Sequence, residues 1–163
     1  FDCADLIVGS KDKDKLFDLI DNNVKVILDT DDYITSKVSA CKPFLVKMDN
    51  NDIGTSKEDI VKTGKEYIEN GAQYFLFSSA HTKSYLFDST GYYVCENTKD
   101  LQIGSNDGMI AGILWSKLKG ANPLEFFGYG NAIAGGVSML DEDVDFDQIE
   151  KIYKDLKIER IDF

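Results

Sequence analysis

Residues 103–120, IGSNDGMIAGILWSKLKG, decide how the rest of the chain is read. A short polar loop, Gly104-Ser105-Asn106, leads into Asp107 and then into an amphipathic stretch with helical spacing. Ser or Asn just before a periodic apolar run marks a helix start, because its side-chain oxygen accepts from the first free backbone N–H groups. The first turn then presents unpaired N–H groups at the positive end of the helix dipole, where phosphate is stabilised. A carboxylate held there can take a proton from a hydroxyl beside that phosphate, and the two together supply what phosphoryl transfer to an alcohol needs. An acid in the first turn also stabilises a helix with no chemistry attached, so Asp107 alone leaves both readings open.

The glycines add weight to the chemical reading. Gly104, Gly108 and Gly112 recur every four residues with Ala111 beside them, leaving one helix face nearly bare. Glycine inside a helix costs up to about 1 kcal/mol relative to alanine, so two of them call for a compensating close approach. A second small-residue stretch, Gly128–Gly136 (GYGNAIAGG), offers Ala132, Gly135 and Gly136 as the facing side. It mimics a dinucleotide loop, but its spacing is wrong and it follows Phe126-Phe127 in helical context, with no strand before it. The two bare faces either enclose a slot about one ring thick or pack tightly with nothing between. A membrane-spanning glycine motif is excluded by Lys117, Lys119 and the shortness of the apolar run.

Outward from this segment, apolar runs and turn residues alternate. Ala4–Val8, Val24–Leu28, Phe44–Met48 and Gln73–Phe77 read as buried strands, and Ile158–Ile161 as a short last one. Helices are expected over Lys13–Asp21, from Ser56 to about Asn70, from Asp107, over Pro123–Met139 and over Asp147–Leu156. Asn70-Gly71 supplies a helix stop. Ser84–Phe87 and Tyr92–Glu96 flank Asp88-Ser89-Thr90-Gly91, a hairpin connection. Strands alternating with helices predict an α/β fold: a parallel sheet flanked by helices, with one local hairpin. Ligands of such sheets bind beyond the carboxyl ends of the strands, which puts Asp29, the Asp49–Asp52 turn, Ser78–Thr82 and Gly104–Asp107 on one rim.

A chain of 163 residues is expected to form a single domain, and its 43% hydrophobic and 12% aromatic content fits a packed core. The net charge of -11 and a single arginine, Arg160, argue against a nucleic-acid groove. Three widely spaced cysteines, Cys3, Cys41 and Cys95, fit reduced thiols, and with no signal or spanning segment in view the cytoplasm is the expected compartment. The start at Phe1, running almost at once into a strand, reads as a piece of a longer protein. Asp143, Asp145 and Asp147 begin a calcium-loop pattern, but Gln148 stands where glycine is required, and a solvated turn is expected. The Asp49–Asn51 start fails similarly at Ile53, and His81, the only histidine, is expected at the surface without a metal.

Taken together, these segments resemble the ribokinase-like carbohydrate kinases (the phosphofructokinase-B family) over nearly the whole chain. Residues 103–120 resemble the family's G-A-G-D segment, PFLVKMDNNDI (43–53) its P-x-x-x-K-P-N-x-x-E segment, and Asn70–Phe77 the entry to its nucleotide site. The branch most resembled is that of 1-phosphofructokinases and tagatose-6-phosphate kinases. The resemblance implies a ribokinase-like parallel sheet forming the carboxy-terminal, ATP-binding half of a kinase that phosphorylates a sugar or sugar-phosphate hydroxyl. Asp107 would be the general base, and the N–H groups around Gly104, Ser105 and Asn106 would form the anion hole. Ser78, Ala80 and Gly108 would line the nucleotide site, with Asn131 near adenine. Asp52 would hold Mg²⁺ through water. The sugar-binding residues, and a lid through which such kinases dimerise, would lie in an amino-terminal half.

The chain departs from the pattern at Ser105-Asn106 (for Ala-Gly), Met48-Asp49 (for Pro-Asn), Asp52 (for Glu) and Ser78–Lys83 (for a glycine-rich loop). These departures motivate an alternative: a kinase-like nucleotide-binding or regulatory module without phosphotransfer.

Overall fold

The computed structural model describes residues 6–8, 26–29, 38–39, 41–49, 56–79, 83–96, 106–140 and 145–163. Its strands are β1 (Leu6–Val8), β2 (Val26–Asp29), β3 (Leu45–Asp49), β4 (Tyr74–Ser78), β5 (Lys83–Asp88), β6 (Gly91–Glu96) and β7 (Lys157–Asp162). Its long helices are α1 (Lys57–Glu69), α2 (Asn106–Leu118), α3 (Pro123–Leu140) and α4 (Phe146–Asp155). The strands join one sheet in chain order, β1 through β7, and β1 to β4 pair in parallel. The expected strands and the four expected helices from Ser56 onward are therefore present within a residue or two. The helix expected over residues 13–21 and the turn at 50–54 lie outside the described residues.

By their contacts the residues fall into two compact units. One comprises 1–78, 85–92 and 162–163; the other comprises 79–84 and 93–161.

The first unit holds the parallel strands. β2 and β4 are apolar on both faces, as strands covered on each side must be. Ser56 caps α1 by accepting from the Asp59 N–H at 3.1 Å, and Asn70 closes it by donating to the Glu66 carbonyl at 2.8 Å. Gly71 follows at φ 106°, the left-handed conformation that lets the chain turn straight into β4. The core is aromatic: Tyr67 stacks on Phe75 with ring centroids 4.8 Å apart, and Phe87 stacks on Tyr92 at 5.0 Å. The β5–β6 hairpin is held by Asp88, whose carboxylate accepts from the Thr90 N–H, the Thr90 hydroxyl and the Gly91 N–H.

The second unit packs α2, α3 and α4 with the remaining strand segments. Met109 and Ile113 of α2 and Phe126 and Phe127 of α3 are fully buried. Tyr129 stacks on Tyr153 at 4.4 Å and donates its hydroxyl to Glu150. That hydrogen bond, with burial and nearby carboxylates, pushes the Tyr129 phenol up to about 12, so it stays protonated. The acidic run expected to be a solvated turn also starts a helix. Asp145 caps α4, accepting from the Asp147 N–H at 3.2 Å, while Gln148 reaches back to the Asp145 N–H.

Burial, with a smaller contribution from Glu96, pushes the Cys95 thiol up to about 12 from an ordinary value of 9.0. Since the thiolate is the nucleophile, this lowers its reactive fraction by about 10³ at mildly alkaline pH. Maleimide is therefore expected to label Cys95 only on unfolding, after the half-buried Cys41. Peptide mass mapping of native and denatured samples checks this, and rapid native labelling of Cys95 would contradict it.

Candidate active site

Asp107 stands exposed in the first turn of α2, and Gly108 behind it is buried. Asn106, the first described residue of this segment, is already helical, so it belongs to the helix instead of preceding it. Met109, Ile110 and Ile113 anchor this helix in the second unit, leaving the Asp107 end facing solvent. Lys117 in the last turn complements the dipole at the other end. The helix stops at Gly120, with φ 89°, where the Ala121 N–H donates back to the Ser116 carbonyl at 3.1 Å.

α2 lies directly against α3. A Cβ on Gly112 would fall 2.7 Å from the Tyr129 carbonyl oxygen and 2.9 Å from the Gly130 Cα. At this level the helices touch backbone to backbone, which decides between slot and tight packing in favour of packing. Within the small-residue stretch, Gly112 itself meets Tyr129-Gly130.

Asn131, expected near adenine, is fully buried. Its amide nitrogen donates to the Phe127 carbonyl at 2.8 Å, and its oxygen accepts from the Ser84 hydroxyl at 2.5 Å. Both polar ends are thus engaged within the second unit, joining α3 to the start of β5. The Ser78–Lys83 segment is closed at its base by the Ser79 N–H, which donates to the Lys83 carbonyl at 2.9 Å.

The first unit carries its own group of polar residues at the carboxyl ends of parallel strands. Ser78 ends β4, nearly buried, and is in register with Asp49 at the end of β3. Asp29 ends β2 in register with Lys47, and the two form an ion pair at 3.3 Å. Lys47 is fully buried, and the sequence reading gave it no role of its own. The available signal was a lysine inside an otherwise apolar strand run, FLVKM, one strand away from an acid at a strand end. A buried ammonium needs a paired carboxylate, because its desolvation is otherwise uncompensated.

Of the remaining expected site residues, Asp52, Ala80, Gly104 and Ser105 lie outside the described residues, as does His81, expected at the surface, and Asn106 is described by its backbone alone. Among the described residues, no group of three or more His, Cys, Asp or Glu could hold a metal ion, and no helix is long and apolar enough to cross a membrane.

This chain has the fold of the ribokinase-like carbohydrate kinases. It superimposes on the possible 1-phosphofructokinase of Thermotoga maritima with a TM-score of 0.77 at 19% identity, covering 98% of this chain and 57% of that one. Against phosphofructokinase-2 from Escherichia coli in complex with fructose-6-phosphate the TM-score is 0.74 at 22% identity, covering 92% and 55%. In sequence the chain is 26% identical over 150 residues to the 1-phosphofructokinase of Bacillus subtilis (strain 168), covering 85% of this chain and 49% of that protein. Its homologues are thus 1-phosphofructokinases, and the chain spans about half the length of the curated relatives it matches. No family model matches the chain.

Proposed function

We propose that this chain is the nucleotide-binding portion of a sugar-phosphate kinase of the 1-phosphofructokinase or tagatose-6-phosphate kinase type. The observation that carries this reading is Asp107: a solvent-facing carboxylate in the first turn of a helix whose following turns are buried. In the proposed reaction the Asp107 carboxylate accepts the proton of a sugar hydroxyl as that oxygen bonds to the γ-phosphorus of ATP. The bond from that phosphorus to the bridging oxygen breaks, and ADP leaves. Backbone N–H groups around Gly104, Ser105, Asn106 and Asp107 would hold the charge spread over the transferring phosphoryl oxygens. Ser78, Ala80 and Gly108 would lie along the nucleotide, with Asn131 supporting the adenine side through the placement of α3.

Mg²⁺ would neutralise phosphate charge, with Asp52 ordering its water. The reading also carries a cytoplasmic setting and dimerisation through a lid of the kind the family bears in its amino-terminal half.

The test uses the full-length protein with Mg·ATP and a panel of hexose phosphates including fructose 1-phosphate and tagatose 6-phosphate. ADP release that depends on one of these sugars, at about 1–100 s⁻¹, is expected. Calorimetric binding of Mg·ATP with no sugar-dependent ADP release would favour the regulatory module suggested by Ser105 and Asn106. Absence of nucleotide binding would overturn both.

A further inference from the structure

The helix bearing Asp107 is located by its backbone, and side-chain rearrangement cannot adjust it. A Cβ on Gly112 would lie 2.7 Å from the Tyr129 carbonyl oxygen, 2.9 Å from the Gly130 Cα and 3.1 Å from the Gly130 nitrogen. All three are main-chain atoms, so no rotamer change makes room. The contact is reciprocal. A Cβ on Gly130 would lie 2.8 Å from Ile113 Cγ1 and 3.1 Å from the Met109 carbonyl oxygen. One turn further on, the Ser116 hydroxyl donates to the Gly112 carbonyl at 2.6 Å.

Each of these mid-helix glycines costs about 1 kcal/mol relative to alanine, so mere helix formation is better served without them. What they achieve is a backbone-to-backbone approach of the two helices. Gly112 lies five residues after Asp107, about 7.5 Å along the axis of a stiff helix. A shift forced at Gly112 is therefore delivered to Asp107.

We propose that Gly112 and Gly130 are positioning residues that set where Asp107 stands relative to the reacting hydroxyl. This rests on the reading of Asp107 as the general base. Gly128 provides the comparison within α3: a Cβ there would collide with the Tyr153 ring and lie 3.4 Å from Ile158 Cδ1, so its crowding is against α4 and β7. Substitution at Gly128 strains the fold without pressing on α2.

The test is steady-state kinetics and thermal unfolding of full-length variants. Gly112→Ala is expected to lower kcat by about 10–100-fold with KM for ATP nearly unchanged, since displacements of about 1 Å at a reacting group have effects of this size. Gly130→Ala should show a smaller fall, because Ile113 can partly yield. Gly128→Ala should lose thermal stability and keep kcat. In an Asp107→Asn background, Gly112→Ala should lower kcat no further, because the group it positions is already gone. If Gly112→Ala does not fold, Gly130→Ala decides by the same comparisons. Folded variants with kcat within about twofold of wild type, or losses that add fully to that of Asp107→Asn, would overturn the proposal. If Asp107→Asn itself leaves kcat intact, the general-base reading has failed and this inference falls with it, a result distinct from the glycine variants alone being silent.

Discussion

Asp107→Asn in the full-length protein is expected to lower kcat by about 10²–10⁴-fold, the usual contribution of a positioned general base. That range corresponds to roughly 3–5 kcal/mol of lost transition-state stabilisation. Asparagine keeps the size and hydrogen-bonding shape of the side chain but cannot accept the sugar hydroxyl's proton. Because Asp107 is exposed, the fold has little at stake. Losing a carboxylate beside the positive helix end costs about 0.3–1 kcal/mol. The two roles open to an acid in a first turn therefore separate cleanly. A base gives a large fall in kcat with the unfolding midpoint hardly moved; a helix stabiliser leaves kcat intact with at most a small fall in the midpoint. Coupled ADP-release kinetics alongside thermal unfolding of the same variant measure both, and an unchanged kcat would end the assignment.

What could be read directly from the sequence was whatever local chemistry decides. Ser56 and the Asn70-Gly71 stop bound α1 because caps and left-handed glycines act within one turn of themselves. Asp88 to Gly91 makes the hairpin because one aspartate can satisfy the turn's donors. Asp107 was visible for the same reason: first-turn chemistry is written in adjacent residues.

Features that need a partner far along the chain were not visible. The Lys47–Asp29 pair depends on the register between β2 and β3, which no single segment specifies. Asn131 is occupied by Ser84, 47 residues away, so its buried structural bond could not be told from a ligand contact. The glycine face of α2 and the small-residue stretch of α3 were both recognised, but only packing selects which of those small residues meets Gly112.

The first unit's stability is expected to hinge on Phe87. It is fully buried on β5, with ring centroids 5.8 Å from Phe75, 5.0 Å from Tyr92 and 6.5 Å from Phe163. Truncation to alanine removes a large buried ring and leaves a cavity, at a cost of about 3–5 kcal/mol. That is a large share of the roughly 5–15 kcal/mol that holds a domain together. Gly64 on α1 explains why the ring fits: a Cβ there would lie 2.6–2.7 Å from Phe87 Cγ, Cδ1 and Cε1. These atoms include the root of a stiff ring, which cannot swing aside as a flexible chain end would. Gly64→Ala alone should therefore cost about 1–3 kcal/mol by overpacking, even though alanine favours helix. The pair should not behave additively. With Phe87→Leu in place, the space in front of Gly64 opens, and adding Gly64→Ala should cost less than it does alone, by about 0.5–3 kcal/mol of coupling. Urea unfolding of the four full-length proteins gives the cycle. Strict additivity would show that something other than the Phe87 ring bounds Gly64, and that the helix-to-strand distance in this unit is set elsewhere.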